Sequence, residues 1–262
     1  MSRPTFLREA RRKFLSGIGK PEQQAFVVDA FQTRAIESVV SGKDTLVVAP
    51  TGAGKTYIAI EAIRAYLDLS LRAVYTTPLK ALSNTKFNEL RSIFEPKRSV
   101  GLLTGDRKIE TQSDVVIATT EIYRNELYSG SAKYALVVLD EVHFIADPQR
   151  GAVWEESIIL TPKDSSLLML SASISNPFEI ADWLEEVRGK KCEVIIEKHR
   201  PVELRLGFLH PRYGVLPLVD DKGRILQEIR EFYGGDDNRR GNRSHQSSRN
   251  FRGRGRGGRN RR

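Results

Sequence analysis

The amino-acid sequence predicts an α/β fold in which helices cover both faces of a parallel, twisted β-sheet. Short apolar runs rich in β-branched residues alternate with longer segments of helical periodicity. Most of these runs are apolar at nearly every position, which is typical of strands that are buried on both faces. The alternation of strands and helices indicates parallel strands that are joined by helical crossovers.

Seven strands and six helices are predicted along the chain. The strands are Thr45–Ala49, Ala73–Thr76, Val100–Leu103, Val115–Ala118, Leu136–Leu139, Leu167–Leu170 and Val194–Ile196. The helices lie near Asp29–Val40, Thr56–Leu67, Leu79–Phe94, Glu121–Leu127, Trp154–Ile159 and Pro177–Val187. Pro201–Gly214 and Gly223–Tyr233 add a strand-like run and a short helix that fit the alternation less well.

Positive charge is concentrated at one end of the chain. The net charge is +9, but Gly234–Arg262 contains ten arginines and two aspartates, so this stretch carries +8 and the other 233 residues carry +1. Apolar residues almost vanish after Tyr233, and the composition therefore predicts a disordered tail. Arginine interleaved with glycine is typical of segments that grip single strands of nucleic acid, although it also suits a linker whose charge only aids solubility.

Composition argues against several classes of protein. No apolar run approaches the ~20 residues of a membrane-spanning helix, so no membrane partner is expected. The basic N-terminus is not followed by the apolar stretch of a signal peptide, while an amphipathic transit segment stays open. The single cysteine, Cys192, excludes an intrachain disulfide and favours a reducing, cytoplasmic location. The four histidines lack the spacing of a structural metal site.

A glycine-rich segment lies where the first predicted strand runs into a helix. Thr45–Thr56 is Thr-Leu-Val-Val-Ala-Pro-Thr-Gly-Ala-Gly-Lys-Thr, with Ala49 where such patterns usually begin with glycine. The loop residues are Thr51, Gly52, Ala53 and Gly54. Their amides and the N-terminus of the next helix can wrap a polyphosphate. Lys55 would then reach the β- and γ-phosphates, and the Thr56 hydroxyl would ligate Mg²⁺, so the segment predicts binding of ATP and Mg²⁺.

An acidic pair follows the fifth predicted strand. The segment Leu136–His143 is an apolar strand that ends in Asp140 and Glu141. A strand of this kind places Asp140 at the carboxyl edge of the sheet, where open α/β sheets bind ligands. We expect Asp140 to hold Mg²⁺ through water, and Glu141 to orient or deprotonate the attacking water.

Together these residues resemble superfamily-two helicases of the DExH type, here Asp140-Glu-Val-His143. Within that superfamily the chain is similar to the superkiller-type branch, which includes exosome-assisting RNA helicases and archaeal repair DNA helicases. Further matching segments, in the order of the family, are Phe26–Gln32, Thr77–Leu82, Thr104–Asp106, Ala118–Glu121, Arg150–Glu155 and Ser171–Ser173. The last is Ser-Ala-Ser where the family usually has Ser-Ala-Thr.

The resemblance implies roles for these segments. Gln32 would read the adenine base and Phe26 would stack on it. His143, Ser171 and Ser173 would couple ATP hydrolysis to movement of the lobes. Residues implied in gripping a single strand are Pro78, Lys80, Thr104, Gly105, Thr119 and Thr120. Amides, short hydroxyls and helix N-termini suit this role because they hold phosphates without reading bases.

The resemblance also implies a domain plan. It places a RecA-like, P-loop ATP-binding domain of a helicase at residues 21–206, after a basic N-terminal extension at 1–20. A linker with a short helix would follow at 207–233, and the Arg/Gly-rich tail at 234–262. No second set of α/β elements follows, so we expect a first motor lobe that a second lobe completes, in cis or in trans. Alone, such a lobe would bind ATP weakly, hydrolyse it slowly and unwind nothing.

Two other functions compete with a helicase of single-stranded RNA or DNA. A half-motor with a basic tail would also serve as a non-catalytic nucleic-acid-binding module, but the intact Lys55, Thr56, Asp140 and Glu141 argue against it. Another loop-type ATPase would carry a different signature around its acidic motif. The arginine–glycine tail and the branch resemblance favour RNA over DNA.

Overall fold

The computed structural model describes residues 3–16, 18, 27–131, 133–201 and 203–234. Contacts divide the chain into two compact units. One spans Ala25–Val202, and the other combines Met1–Gln24 with Glu203–Arg262. Among the residues described, no helix is both long and apolar enough to cross a bilayer.

The secondary structure alternates as the sequence predicts. The strands are β1 (Asp44–Val48), β2 (Ala73–Thr77), β3 (Val100–Leu103), β4 (Lys108–Ile109), β5 (Val115–Thr119), β6 (Leu136–Leu139), β7 (Ser166–Ser171), β8 (Cys192–Ile196), β9 (Gly207–His210) and β10 (Gly214–Pro217). The helices are α1 (Arg3–Leu15), α2 (Ala30–Val40), α3 (Lys55–Asp68), α4 (Lys80–Phe94), α5 (Thr120–Ser129), α6 (Gly151–Leu160) and α7 (Pro177–Arg188). A 3₁₀ helix spans Val142–Ala146, and residues 227–234 are helical.

The larger unit is built on one eight-stranded sheet of order β4-β3-β5-β2-β6-β7-β1-β8. Every neighbouring pair is parallel except β3 and β4, which are antiparallel. The predicted α/β class is therefore confirmed. Strand β4 was not predicted, because two residues at a sheet edge are too short to show a periodicity.

Apolar layers cover both faces of this sheet, which explains the continuous apolar runs. In β1, Leu46 and Val47 are both fully buried, yet they belong to different clusters because successive side chains of a strand point to opposite faces. Val47 packs with Ile58 of α3, whereas Leu46 packs in the cluster that contains Trp154 of α6.

A buried ion pair ties α7 to the amino end of β1. The guanidinium of Arg188 lies 2.6 Å from Asp44 Oδ2, and the two side chains are 1% and 0% exposed. Asp44 Oδ1 also accepts the amide of Leu167, and Arg188 donates to the carbonyls of Thr161 and Ser165. The pair is thus fully hydrogen-bonded, as two charges taken out of water require.

The smaller unit contains elements that the sequence predicted only in part. Helix α1, in the predicted N-terminal extension, and strand β10 were not predicted. Strand β9 lies within the predicted strand-like run Pro201–Gly214 and forms an antiparallel hairpin with β10, and the helix at residues 227–234 agrees with the short helix predicted at Gly223–Tyr233. Leu7, Leu216, Leu226 and Ile229 form its buried cluster. Each segment contributes only one or two of these apolar residues, so none shows a clear pattern by itself. The predicted tail lies outside the described residues beyond 234.

Candidate active site at the carboxyl edge of the sheet

The predicted motifs converge on one edge of the sheet, because parallel strands share their carboxyl ends. The phosphate loop follows β1, the acidic pair follows β6, and Ser171 ends β7. These three strands are adjacent in the order β6-β7-β1. The predicted strand-gripping segments follow β2, β3 and β5, which are also adjacent and lie beyond β6.

The phosphate loop adopts a backbone that needs glycine. Gly52 and Gly54 have φ angles of 90° and 83°, in the left-handed region that side chains disfavour. Gly54 caps α3, so the free amides of the helix's first turn lie at the end of the loop. An anion placed there would meet both these amides and the positive end of the helix dipole.

Lys55 is held within the loop itself. Its ammonium donates to the carbonyl of Ala49 at 2.7 Å and to that of Pro50 at 3.2 Å. Burial lowers the pKa of Lys55, while the negative charges of Glu141 and Asp140 oppose that shift. The lysine therefore lies within the field of the acidic pair, as a site for a polyphosphate and a cation requires.

Asp140 is fixed by two hydrogen bonds. Its Oδ1 accepts the amide of Glu141 at 2.9 Å, and its Oδ2 accepts the hydroxyl of Tyr75 at 2.6 Å. Burial, and then the negative charge of Asp140, raise the pKa of Tyr75 well above its usual value, so the phenol keeps its proton. Sequence reasoning missed Tyr75, whose only signal was a hydroxyl on the neighbouring strand.

Glu141 and His143 face each other without a hydrogen bond. Glu141 Oε2 lies 3.3 Å from His143 Nδ1. Both atoms are buried, and neither has a hydrogen-bond partner among the described residues. Glu141 also has a φ of 54°, which is uncommon for a residue with a side chain and typical of functional sites. An unpaired carboxylate oxygen held in this way can accept a proton from water.

Thr56, the predicted magnesium ligand, already has a cationic partner. Its hydroxyl oxygen accepts a hydrogen bond from the ammonium of Lys86 at 3.0 Å. Lys86 also donates to Glu89 at 2.8 Å, and its ammonium lies 5.8 Å from the centre of the Tyr75 ring. Neither Lys86 nor Glu89 was singled out from the sequence.

The side chain of Gln32 is hydrogen-bonded to the backbone of the phosphate loop. Its amide nitrogen donates to the carbonyl of Ala53 at 2.9 Å, and its oxygen accepts the amide of Asp29 at 3.0 Å. The side chain is buried, so in this structure Gln32 contacts the loop directly. Its predicted contact with adenine remains a prediction, and Phe26 lies outside the described residues.

The predicted coupling residues connect β7 to the loop. The amide of Ala49 donates to the carbonyl of Ser171 at 3.0 Å, and the Ser171 hydroxyl accepts the amide of Ser173 at 3.2 Å. Ser173 and His143 also line a cleft of about 480 Å³, with Trp183 on another wall. The lining of this cleft includes neither Lys55 nor Asp140.

The predicted strand-gripping hydroxyls are used inside the protein. The hydroxyl of Thr120 donates to the carbonyl of Thr77 at 3.2 Å, and that of Thr104 donates to Asp106 at 3.0 Å. Both side chains are buried, as are those of Thr119 and Pro78. In this structure the hydroxyls of Thr104 and Thr120 shape the loops, and the predicted contact of this set with a single strand remains a prediction.

Lys80 and Gly105 are the exposed members of the predicted strand-gripping set. The Lys80 ammonium lies 3.2 Å from Asp106, next to Gly105. Arg150 connects this region to the acidic motif: it donates to the carbonyl of Pro78 and lies over the ring of Phe144, 5.2 Å from its centre. Arg150 was seen in the sequence only as part of a motif, without a role.

The donors at this edge fit ATP and Mg²⁺. Among the described residues no group of three or more His, Cys, Asp or Glu side chains could hold a metal alone. Thr56 and Asp140 supply hard oxygen atoms, and the remaining ligands would be phosphate oxygens and water, as Mg²⁺ prefers. The loop is a tight cradle, because a Cβ at Gly54 would lie 2.3 Å from the Gln32 amide nitrogen.

Known relatives share this part of the chain. The "DExH-box ATP-dependent RNA helicase DExH15 chloroplastic" of Arabidopsis thaliana is 45% identical over 207 residues, which cover 76% of this chain and 17% of the relative. "Probable helicase HelY" of Mycobacterium leprae is 47% identical, covering 68% and 20% of the two chains. "Exosome RNA helicase MTR4" of Homo sapiens is 38% identical, covering 80% and 20%.

The chain therefore spans about a fifth of the length of these curated relatives. Since one of them is named chloroplastic, the cytoplasmic location remains a prediction. A solved structure described as "DUF1998 helicase MrfA bound to DNA" superposes with a TM-score of 0.55 at 22% identity, covering 72% of this chain and 29% of that one. At that identity it supports the fold alone.

A family match agrees with the site and with the resemblance to superkiller-type DExH proteins. Residues 29–180, more than half of the chain, match the family described as DEAD/DEAH box helicase. This range contains the phosphate loop, the acidic pair and all the predicted strand-gripping residues. The chain belongs to the DEAD/DEAH box helicase family.

Proposed function

We propose that this chain is the first, ATP-binding lobe of an ATP-dependent helicase that acts on single-stranded RNA in preference to DNA. One observation carries the proposal: Lys55, Asp140 and the unpaired carboxylate oxygen of Glu141 meet at the sheet edge that also carries the predicted strand-gripping loops. The preference for RNA is supported by relatives that are named RNA helicases.

Each group of residues at the site has a separate role in phosphoryl transfer. A bound Mg²⁺ would neutralise charge on the phosphates. The loop amides and Lys55 hold the β- and γ-phosphates, and Tyr75 fixes the orientation of Asp140. Glu141 accepts the proton of the attacking water, a role for which its Oε2 is suited because that atom accepts no hydrogen bond from the described residues.

One contact holds the nucleotide half of the edge together, and another links it to the strand half. Within the nucleotide half, the carbonyl of Ser171 bonds the end of β7 to Ala49 at the start of the phosphate loop. Arg150 bonds the region after the acidic pair to the carbonyl of Pro78, at the start of the loop that leads into α4. A change at the phosphates therefore reaches the strand-gripping loops through direct contacts.

A second RecA-like lobe is required for full activity. In motors of this kind the partner lobe supplies arginines, and an arginine finger contributes roughly 10³–10⁵ in rate. We propose that the partner lobe provides it and that the isolated chain turns over ATP slowly.

Two substitutions test the proposal in the protein assembled with its second lobe. Lys55→Ala removes the positive charge that contacts the phosphates, so we expect at least about tenfold weaker binding of a fluorescent ATP analogue. Glu141→Gln keeps the shape of the side chain but removes the base. We expect RNA-stimulated ATP turnover to fall by roughly 10²–10⁴, with nucleotide affinity almost unchanged.

The opposite pattern would refute the assignment. Full ATP turnover in Glu141→Gln would show that Glu141 is not the base that accepts the proton of the attacking water. Nucleic-acid binding by the unsubstituted protein, assembled with its second lobe but without any ATP turnover, would favour the non-catalytic binding module instead.

A further inference from the structure

Two polar side chains near the proposed magnesium position, those of Lys86 and Glu89, are not used by the mechanism above. Both lie on α4, next to Tyr75 of β2. The Lys86 ammonium donates to Thr56 at 3.0 Å and to Glu89 at 2.8 Å, and it lies 5.8 Å from the centre of the Tyr75 ring. The hydroxyl of that same Tyr75 donates to Asp140 at 2.6 Å.

These contacts differ from an ordinary ion pair on a helix surface. Lys86 and Glu89 are three positions apart, a spacing that usually places both side chains in solvent. Here the Lys86 side chain is only 19% exposed and reaches Thr56, thirty residues earlier in the chain. A largely buried ammonium is costly unless it is paired, so its position reflects the oxygen atoms around it.

The partners of Lys86 are the ones that a divalent cation would use. Thr56 supplies a hydroxyl oxygen and Glu89 a carboxylate oxygen, while Asp140 is joined to the same group through Tyr75. Mg²⁺ selects hard oxygen ligands of this kind. An ammonium and Mg²⁺ cannot both occupy the same lone pair of Thr56, and their charges repel each other.

We propose that Lys86 is an internal cation that occupies the magnesium end of the nucleotide site and is displaced from Thr56 when Mg²⁺ enters with ATP. The inference rests on the proposed function and adds to it a residue that sets the dependence on the metal. When Mg²⁺ is scarce, Lys86 stays at Thr56 and provides positive charge for the phosphates. When Mg²⁺ is present, Lys86 competes with it.

Helix α4 gives this exchange a route to the strand-gripping side. The helix begins at Lys80, which lies beside Asp106 and Gly105, and Lys86 is six residues further along, about 9 Å by helix geometry. Losing the bond to Thr56 changes the forces on the helix that carries Lys80. The metal-bound and metal-free states therefore differ in a contact of the helix whose first residue, Lys80, lies on the nucleic-acid side.

The test measures nucleotide binding rather than turnover. A fluorescent, non-hydrolysable ATP analogue is titrated into the protein in excess Mg²⁺ and, separately, in a chelator. The measured quantity is the dissociation constant in chelator divided by that in Mg²⁺, and this ratio is compared between variants. Lys86→Met removes the internal cation, so binding without metal weakens while binding with metal is kept or improved. We expect the ratio to rise by about fivefold or more, the lower end of ordinary coupling between sites.

Two further variants control for charge and for folding. Lys43→Met removes the same charge from an exposed pair with Glu193, at the opposite end of β1, and should leave the ratio unchanged. Lys86→Gln keeps a hydrogen-bond donor for Thr56 but not the charge, and should raise the ratio as Lys86→Met does. It also provides the measurement if Lys86→Met fails to fold.

Two results would overturn the inference. Equal weakening with and without metal would make Lys86 a phosphate ligand of the loaded site, and two unchanged dissociation constants would make it an ordinary surface pair of the helix. Failure of the proposed function would look different, because the unsubstituted chain would then bind the analogue no better than Lys55→Ala does.

Discussion

Gly54 is the residue of the phosphate loop that lies against the side chain of Gln32. Its φ of 83° lies in the left-handed region, and a Cβ added there would lie 2.3 Å from the Gln32 amide nitrogen. That nitrogen holds the carbonyl of Ala53 at 2.9 Å. Gln32 and Gly54 therefore define the loop together, one through a hydrogen bond and the other through the lack of a side chain.

Substitution of Gly54 separates these two effects. Gly54→Ala should lower the free energy of unfolding by about 1–2 kcal/mol through backbone strain and should also weaken binding of an ATP analogue, because Gln32 must move. Gly42→Ala is the matched control: its φ is 88°, yet no atom lies within 4 Å of the added Cβ. Thermal unfolding and analogue titration check both variants. Equal loss of affinity in the two would mean that the Gln32 contact is unimportant.

At the residue scale, the sequence predicted the motif residues but not their partners. Lys55, Thr56, Asp140 and Glu141 lie together as expected, because the order of motifs along parallel strands fixes their common edge. Tyr75 and Lys86 were missed. Their bonds to Asp140 and Thr56 join residues that are 65 and 30 positions apart, and they depend on the pairing of β2 with β6 and on the direction of α4.

At the scale of elements, the order of strands and helices followed from apolar periodicity. The side-chain contacts that hold one element to another did not. The pair of Arg188 and Asp44 is an example, because each residue alone resembles an ordinary surface charge in the sequence. In the structure the pair joins the last turn of α7 to the first residue of β1, at the opposite edge from the active site. In the smaller unit, the strand-like run and the short helix were predicted, but their common cluster with α1 was not, since its few apolar residues come from distant segments.

Arg188→Met should be among the most destabilising changes in this chain. It leaves the carboxylate of Asp44 buried without its cation, so we expect the free energy of unfolding to fall by about 3–5 kcal/mol. Arg34→Met breaks an exposed pair with Glu193 and should cost less than about 1 kcal/mol. Denaturant unfolding measures both variants. A similar, small loss in each would show that the buried pair contributes little.

At the scale of the whole molecule, charge separates the ATP-binding lobe from its tail. Residues after 233 carry +8 of the net +9, so the lobe and its flanking segments are close to neutral. Non-specific affinity for RNA should therefore depend strongly on the tail. The structural description ends at residue 234, and the composition alone supports this expectation.

Removal of the tail provides the test. We expect residues 1–233 to bind single-stranded RNA more weakly than the whole chain and with a shallower dependence on salt, since each lost phosphate contact removes about 0.7 from the logarithmic slope. A chain in which the tail arginines are replaced by glutamine controls for length. Equal affinities and slopes for all three, measured by fluorescence anisotropy over a range of salt, would assign RNA binding to the lobe alone.

Cys192 at the start of β8 has a practical consequence. It is the only cysteine of the chain, it is buried, and burial raises the pKa of its thiol to about 12. Since alkylating reagents attack the thiolate, this sulfur should stay inert towards maleimide dyes at neutral pH. A cysteine introduced on an exposed loop would then be the one reactive handle, so that fluorophores could be attached at chosen positions without first removing the native thiol.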